Sequence, residues 1–443
     1  MADLLRRRPS RAVRPSTSGD RSTMSRRVLA LTTSPLPYGD RITDGPGYRM
    51  WNLLHVVAAE HEVHILSLYE SFHEGRRDFG SVSEDGIPVE TIPHTPESVA
   101  RRIRALAPDV LYLPWSSTMF LGRSNRDLPT VLDFVGPGLL ESYVSQGHVP
   151  LPLLRLQLES FRHGDFFMTT SERERYYLLG LLAASERLSM GDLRPDDPLI
   201  HVVRMSHPVE PPTAAQRRPE RKGDELVVLL GGSFLPWYDY SLLAAAIERL
   251  APDTRSALRV VVLGGNPRMP EVEAQVRRTL SRGASHDVVE FTGLVPFKRR
   301  SEYYLGADAA LSIAPETVED ELSSRTRIVD CLWAHLPVIT PGRDEYSALL
   351  LQAGAGFRYD PRPEGLAEIL ERVVADRSLL TTARSRIDAL LSGPFNPKQA
   401  AAPFLEFIES PRLSQRMPAR WGGPARAGLW VRDLVKSVRT GRM

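Results

Sequence analysis

Cysteine is the scarcest residue in this 443-residue chain. Cys331 stands alone, so no internal disulfide can form, and a reducing, cytoplasmic compartment is expected. No apolar run approaches the roughly 18 residues that a bilayer span requires. The arginine-rich first residues lack the apolar segment of a signal peptide. No group of His, Asp and Glu has metal-ligand spacing, so no metal cofactor is expected.

The net charge of +2 is unevenly distributed. Residues 1–27 carry eight arginines against two aspartates, and residues 411–443 carry seven arginines and one lysine against one aspartate. The segment between them, 28–410, is therefore acidic. A nucleic-acid-binding core needs a basic stripe on its folded surface, so nucleic acid is not an expected partner.

Short runs rich in Val, Ile and Leu alternate with longer helical patterns along the whole chain. The twelve runs are "RRVLALTTSP", "HEVHILSLY", "IPVETIP", "PDVLYLP", "PTVLDFV", "DFFMTTS", "ELVVLLGGS", "LRVVVLGG", "VVEFTGLV", "AALSIAP", "LPVITP" and "GFRYDP". Continuous apolar strands between helices predict parallel sheets covered on both faces. The proline-rich, charged segment 209–224 between the sixth and seventh runs is predicted to be an interdomain linker. The sequence thus predicts two doubly wound α/β domains with a cleft between them, where ligands bind at the carboxyl ends of strands.

Two strand-to-helix loops carry glycines that would let a ligand approach the backbone. Gly45 and Gly47 precede a helix expected to begin near residue 48, whose N-terminus would favour an anion. A plain tight turn is the alternative for this G-P-G. Gly231, Gly232 and Ser233 directly follow a strand, without the dinucleotide G-x-G-x-x-G or the lysine of a P-loop.

A third loop, in "EDELSSRTRIVDCLWAHLPVIT" (319–340), concentrates charge between a strand and a helix. Ser323 or Ser324 is expected to cap that helix and to present free amides toward an anion. Arg325 and Arg327 can grip phosphate oxygens in fork geometry.

The same stretch holds two acids suited to a sugar. Glu321 and Asp330 can accept hydrogen bonds from the hydroxyls of a hexose or a ribose. The alternative is an arginine–carboxylate network on the surface of the protein.

These motifs, in this order, resemble the GT-B glycosyltransferases, most closely the large retaining group numbered family four. The second half carries "VVLLGGS", "LRVVVLGG", "VVEFTGLVPFKRRSEYYLGADAALSI", the 319–340 stretch and "LPVITPGRDEYSALLLQAGAGFRY". In the first half, "DFFMTTSERERYYLLGLLAA" and "LIHVVRMSHPVEPP" resemble the last strand and helix of the family's N-terminal domain and its crossover. The resemblance covers about residues 28–395 and implies the α/β GT-B fold, two Rossmann-like domains around a cleft.

The resemblance also implies a division of the chain. The expected segments are 1–27, a basic disordered tail; 28–208, the acceptor-side domain; 209–224, the linker; 225–395, the nucleotide-sugar-binding domain; and 396–443, a crossover followed by a basic tail. Met24 is an alternative start to Met1.

Two carboxylates are assigned roles by the resemblance. Asp330, counted back from Pro337, occupies the place of the family's second glutamate and would hold the nucleotide ribose. The place of the first glutamate falls on Leu322. Glu321, one position earlier, would meet the donor sugar through a shifted loop.

The loop "FTGLVP" matches the family segment whose backbone reads the base, which assigns this role to Leu294, Val295 and Pro296. Trp237 and Tyr238, beside the glycines of the second loop, either line the donor site or pack against the core.

Two family features are missing from the sequence. The arginine and lysine that clamp the diphosphate are absent from "GGSFLPWYDYS", and Arg325, placed nearer the phosphates, and Arg327 are expected to replace them. The histidine after the fourth strand is also absent, because Tyr112 and Pro114 stand there. Asp133 on the next strand is the nearest polar candidate for a catalytic role, with a loop cap as the alternative.

The expected function is therefore transfer of a sugar from a nucleotide-diphosphate sugar, a substrate rather than a cofactor, to an unidentified acceptor. The resemblance implies a retaining, metal-independent enzyme acting in surface glycan, glycolipid or secondary-metabolite synthesis. The missing clamp and histidine motivate an alternative, a non-catalytic GT-B scaffold that binds a partner or a nucleotide sugar. A nucleotide-sugar epimerase is disfavoured, because such enzymes lack the crossover and the "GAGF" ending.

The basic tail, "ARAGLWVRDLVKSVRTGRM", has helical periodicity in residues 427–439. Its apolar stripe consists of Trp430, Val431, Leu434, Val435 and Val438. Such a basic amphipathic helix either lies on an anionic membrane, at its inner face and near a lipid-linked acceptor, or packs back on the N-terminal domain.

Overall fold

The computed structural model describes residues 25–39, 41–69, 79–121, 127–189, 192, 194, 198–210, 212, 224–314 and 316–414. Within these residues the chain forms two β-sheets, one from each half, with helices packed on their faces.

The first half alternates strands and helices. Its elements are β1 Arg27–Thr32, α1 Gly45–Ala58, β2 Glu62–Ser67, β3 Ser81–Glu84, β4 Ile87–Thr91, α2 Pro96–Leu106, β5 Val110–Pro114, a 3₁₀ helix Trp115–Phe120, β6 Thr130–Phe134, α3 Gly138–Gln146, α4 Leu151–Ser160, β7 Phe166–Thr169, α5 Glu172–Ala184 and β8 Ile200–Val202.

The strands of the first sheet run in the order β3-β4-β2-β1-β5-β6-β7-β8, and all pairs are parallel except β3 with β4. Side chains of β1 enter two different apolar clusters. Val28 and Ala30 join one, and Leu29 and Leu31 join the other. The strand is therefore buried on both faces, which explains its continuous apolar sequence.

The second half repeats the alternation. Its elements are β9 Leu226–Gly231, α6 Tyr240–Arg249, α7 Pro252–Ser256, β10 Leu258–Leu263, α8 Pro270–Leu280, α9 Ser285–Val288, β11 Val289–Gly293, a 3₁₀ helix Phe297–Arg299, α10 Arg300–Gly306, β12 Ala309–Leu311, α11 Val318–Leu322, α12 Arg327–Trp333, β13 Val338–Thr340, α13 Glu345–Gln352, β14 Gly356–Arg358, α14 Pro363–Ala375, α15 Ser378–Arg384, α16 Ile387–Ser392 and α17 Pro397–Glu409.

The second sheet is parallel throughout its described strands, in the order β11-β10-β9-β12-β13-β14. Its central strand is again buried on both faces, with Val228 and Leu230 in one cluster and Val227 and Leu229 in another. The prediction of two doubly wound α/β domains is confirmed.

All twelve predicted runs form strands, and two further strands were missed. β3 pairs antiparallel at the edge of the first sheet, and its residues 81–83 are exposed, so it has no apolar signature. β8 has only three residues and lies inside the segment expected to be the crossover.

The last described helix returns to the first domain. Phe404 and Phe407 of α17 lie against the rings of Tyr112 and Phe166, at centroid distances of 5.1 and 4.7 Å. Residues 1–24 of the predicted basic tail 1–27, the predicted amphipathic segment 427–439 and most of the predicted linker lie outside the described residues. None of the described helices combines the length and apolar character needed to cross a membrane.

Strand order reverses once in each sheet. β1 lies between β2 and β5, and β9 lies between β10 and β12. Ligands of open α/β sheets bind outside the carboxyl ends of strands at such a point. The loop before α1, the loop after β9 and the segment 312–326 after β12 all begin there.

Candidate functional site

The first glycine loop is built for backbone packing. A Cβ atom on Gly47 would lie 2.1 Å from the carbonyl oxygen of Pro35, so only glycine fits there. The helix begins at Gly45, earlier than expected, and the carboxylate of Asp44 accepts a hydrogen bond from the Gly47 amide at 2.9 Å. That amide is therefore not free for an anion. Gly45 instead faces the second domain, 3.7 Å from the side chain of Thr326 as measured from an ideal Cβ position.

The second glycine loop is open to solvent. Gly232 and Ser233 are exposed, and Gly232 has φ of +115°, which favours glycine. The loop also packs tightly, since a Cβ on Gly264 would lie 1.9 Å from the Gly232 carbonyl oxygen. A Cβ on Gly232 would lie 2.9 Å from the guanidinium carbon of Arg327. The backbone of Gly232 therefore lies directly beside the positively charged guanidinium group of Arg327.

Arg327 begins helix α12 and reaches across to this loop. Its Nη1 donates to the carbonyl oxygen of Gly231 at 2.6 Å, and its Nη2 donates to the hydroxyl of Tyr238 at 2.9 Å. The side chain is half-buried, and it forms no ion pair with any carboxylate of the described residues. Its positive charge is therefore not neutralised within that part of the chain.

Arg325 is held quite differently. Its guanidinium lies 2.6 Å from a carboxylate oxygen of Asp320 and 3.1 Å from one of Glu319, and all three side chains are almost fully buried. Burial, the largest influence, raises the pKa of Asp320 to about 6 even though Arg325 lowers it. The charge of Arg325 is thus matched internally, and Arg327 rather than Arg325 lies at the glycines. These contacts do not favour the expected placement of Arg325 nearer the phosphates.

The predicted serine cap of α12 is wrong. Thr326 occupies the N-cap position, and no side chain accepts a hydrogen bond there. Ser323 donates its hydroxyl to Glu319 at 2.5 Å. Ser324 instead joins the domains, since its hydroxyl lies 2.6 Å from that of Thr170 at the end of β7.

Two carboxylates at the domain junction were missed by sequence reasoning. Glu174 of α5 accepts from the Ser324 amide at 3.1 Å and from the Thr170 amide at 2.9 Å. Burial raises its pKa to about 7. Burial likewise raises the pKa of Glu141 on α3 to about 7, and the charge of Glu319 adds to the effect. The sequence "SERE" signals only a capping box, with Ser171 as its cap.

Asp330 lies one turn beyond Arg327 on α12. Its Oδ1 accepts from the hydroxyl of Tyr48 at 2.9 Å and from Nη2 of Arg300 at 3.0 Å. Arg300 stacks on the ring of Phe297, 3.4 Å from its centroid. Only 14% of the Asp330 side chain is exposed, so Tyr48 from the first domain and Arg300 cover it together.

The predicted base-reading loop follows β11. Leu294 is exposed, whereas Val295 and Pro296 are half-buried. The next amide, of Phe297, donates to the carbonyl oxygen of Arg41 at 2.8 Å, which brings the first domain against this loop.

Glu321 is the accessible acid of α11. Its carboxylate accepts from Arg343 at 2.7 Å and is about half exposed, whereas Glu319 and Asp320 on the same turn are buried. Its carbonyl oxygen accepts from Arg173 of the first domain at 3.0 Å, so Glu321 stands at the edge of the cleft.

Asp133 is a buried structural residue, which corrects both sequence interpretations. Its Oδ2 accepts from Nε of Arg49 at 2.7 Å and from the hydroxyl of Tyr112 at 2.8 Å. Asp133 is 3% exposed and Arg49 0%. The carboxylate therefore compensates an arginine inside α1, and it neither caps a loop nor reaches the cleft.

Trp237 packs against the apolar cluster of the second sheet, and its indole N–H has no partner among the described residues. The part of the chain that the structure describes holds no group of three or more His, Cys, Asp or Glu side chains arranged for a metal ion.

The sequence matches no protein-family model and no curated protein. Solved structures share its architecture. HepE from Anabaena, in complex with UDP and glucose, superposes with a TM-score of 0.65 at 15% identity over 87% of this chain and 100% of that chain. Sucrose-phosphate synthase from Thermosynechococcus elongatus gives 0.65 at 16% identity, over 86% and 98% of the two chains. The chain has the GT-B fold.

A further structure with the GT-B fold is WaaG, a glycosyltransferase involved in lipopolysaccharide biosynthesis. It gives a TM-score of 0.53 at 15% identity, over 85% of this chain and 99% of that chain. At these identities the likeness concerns the fold. The chemistry of the cleft depends on its own residues.

Proposed function

We propose that this GT-B protein is a glycosyltransferase, which moves a sugar from a nucleotide-diphosphate sugar to an acceptor hydroxyl. The donor would lie at the carboxyl edge of the second sheet, with its diphosphate on the Gly231–Ser233 loop and its ribose at Asp330.

One observation carries this proposal. Arg327 and Asp330 lie three residues apart on α12, so their Cβ atoms are about 5–6 Å apart on one face. The cation faces the exposed glycine loop, and the carboxylate faces Tyr48 and the base-reading loop. A nucleotide presents anionic phosphates and ribose hydroxyls at a comparable separation. A surface network would have paired the arginine with a carboxylate.

One GT-B structure supports the choice of ligand, and a second supports the activity. HepE has been solved with UDP-glucose as well as with UDP and glucose, and WaaG is described as a glycosyltransferase. The residues of the site do not specify which base or which sugar the donor carries.

The proposed reaction is retaining and uses the arginine as its source of positive charge. The bond between the anomeric carbon and the diphosphate oxygen breaks, the acceptor oxygen bonds to that carbon, and the acceptor proton passes to the departing diphosphate. Arg327 would stabilise the charge that grows on the diphosphate. Glu321, the accessible acid at the cleft edge, would accept hydrogen bonds from the sugar. We propose that no metal ion is needed.

The acceptor is proposed to be lipid-linked, with residues 427–439 holding the protein at an anionic membrane. Each basic residue near such a surface contributes about 1 kcal/mol. The support is the spacing of apolar and basic residues in that segment alone.

The test is turnover without an acceptor. Full-length protein is incubated with UDP-, GDP-, ADP- and dTDP-sugars, with and without EDTA, and released nucleoside diphosphate is measured. Slow release from one donor is expected, unchanged by EDTA and lost in Asp330→Ala. Asp388→Ala is the matched control, because Asp388 is an exposed acid of the same domain paired with His335.

The outcomes distinguish the functional classes. Binding of a donor without any release would support the non-catalytic scaffold. Neither binding nor release with any donor would contradict the proposal.

A further inference from the structure

Tyr238 joins the two arginines of the 319–340 stretch. Its hydroxyl lies 3.1 Å from Nη1 of Arg325 and 2.9 Å from Nη2 of Arg327. Both guanidinium groups also lie over its ring, 5.4 and 5.0 Å from the centroid. The tyrosine is 7% exposed, and it stands in the loop that begins with the exposed Gly232 and Ser233. A single side chain thus contacts both cations.

The hydrogen bonds of this hydroxyl have a fixed direction. A guanidinium group can only donate, so the phenolic oxygen accepts twice. Its own hydrogen has no acceptor within hydrogen-bond distance among the described residues. A buried donor of this kind is normally satisfied, by protein, by water or by a ligand. An anion on the adjacent loop would be a suitable acceptor.

The contacts form one continuous chain across the site. Arg325 donates hydrogen bonds to the carboxylates of Asp320 and Glu319. Arg325 and Arg327 both donate to the hydroxyl of Tyr238. The charge of Arg325 is compensated by its two carboxylates, so this arginine acts as a support. Arg327, at the end of the chain of contacts, is the cation left for a ligand.

We infer that Tyr238 is a donor-binding residue that also positions Arg327. It fixes Arg327 against the Gly231–Gly232 backbone, and its hydroxyl donates a hydrogen bond to the donor diphosphate. This inference rests on the proposed function. It explains why the loop after β9 contains neither arginine nor lysine. The loop supplies an aromatic hydroxyl instead, and the cation comes from α12.

The test is Tyr238→Phe, which keeps the ring and removes the hydroxyl. Calorimetry measures the affinities of UDP, ADP, GDP and dTDP, each beside the nucleoside with the same base. The variant should bind the preferred diphosphate about tenfold more weakly, while the nucleoside affinity stays unchanged. Tyr359→Phe is the matched control, because this buried tyrosine of the same domain donates to the carbonyl oxygen of Ser312. It should leave both affinities unchanged.

A double-mutant cycle separates positioning from general damage. The part of the Tyr238→Phe loss that acts through Arg327 should disappear in the Arg327→Ala background, whereas the part from the direct hydrogen bond to the diphosphate should remain. Melting curves of all variants establish that they are folded.

Three results are decisive. Equal diphosphate affinity in wild type and Tyr238→Phe overturns the inference, and so does an equal loss of diphosphate and nucleoside affinity. If wild-type protein binds none of the four diphosphates, the proposed function fails. Failure of the proposed function is thereby distinguished from failure of the inference about Tyr238.

Discussion

Replacing Arg325 with alanine should lower the stability of the folded protein. It should not remove a contact with the donor phosphates. The side chains of Glu319 and Asp320 are each 1% exposed, and Arg325 lies within 3.1 Å of both. Without the arginine, two carboxylates would remain buried with their main compensating charge gone.

The magnitude follows from that geometry. Removing one partner of a buried ion pair costs about 3–5 kcal/mol, because the remaining charge stays desolvated. The Tyr238 hydroxyl also loses one of its two donors. For the second domain the loss corresponds to a fall in melting temperature on the order of 10 °C.

The assay is thermal and urea unfolding, in parallel with calorimetric binding of UDP. Arg249→Ala is the control, because its ion pair with Glu364 is exposed on the same domain and should contribute less than about 1 kcal/mol. An unchanged unfolding midpoint in Arg325→Ala, together with a tenfold to hundredfold loss of UDP affinity, would refute the structural role. It would make Arg325 a phosphate ligand.

Four further predictions concern the site, the domain junction and the C-terminal segment. Arg327→Ala should weaken nucleoside diphosphate binding, measured by calorimetry, by one to two decades, because a charged hydrogen bond worth about 1.5–3 kcal/mol is lost. Arg327→Lys should restore part of the lost affinity. Glu321→Gln should mainly slow turnover, whereas Asp330→Ala should also weaken binding of the free diphosphate; identical effects on both measurements would rule out this division. Burial raises the pKa of Glu174 from 4.5 to about 7. Between these two pH values the folded state therefore binds one proton that the unfolded state has lost. The free energy of unfolding should fall by up to about 3 kcal/mol as pH rises from 4.5 to above 7. Glu174→Gln should flatten that part of a melting-temperature profile, and an unchanged slope would show that another group titrates. Truncation after residue 411 should abolish low-salt binding to anionic vesicles, and equal sedimentation of both forms would mean that 427–439 is not the anchor.

The fold could be predicted because its strands are buried on both faces. Val227 to Leu230 alternate between two apolar clusters, so every position is apolar and the strand is visible in the sequence. The exposed edge strand β3 shows no such pattern, and neither does the three-residue β8. Their pairing depends on neighbouring strands rather than on local composition.

The site could be predicted only to the level of its loops. Gly232, after β9, lies beside Arg327, the first residue of α12 and part of the charged 319–340 stretch. Local sequence could not decide which arginine pairs with Glu319 and Asp320, since this depends on how the chain turns between α11 and α12. The contacts of Asp330 with Tyr48 and of Ser324 with Glu174 join residues 282 and 150 positions apart. Only the packing of the two domains brings them together.

The decisive experiment for the proposed donor site is a structure of the full chain with bound UDP, or with whichever diphosphate binds tightest. The diphosphate is expected on the Gly231–Ser233 loop, within hydrogen-bond distance of Arg327. Ribose hydroxyls are expected on Asp330 in place of the Tyr48 hydroxyl, because only 14% of that side chain is exposed without a ligand. A diphosphate bound elsewhere, or one that contacts Arg325 while Arg327 stays on Gly231, would contradict the proposed donor site.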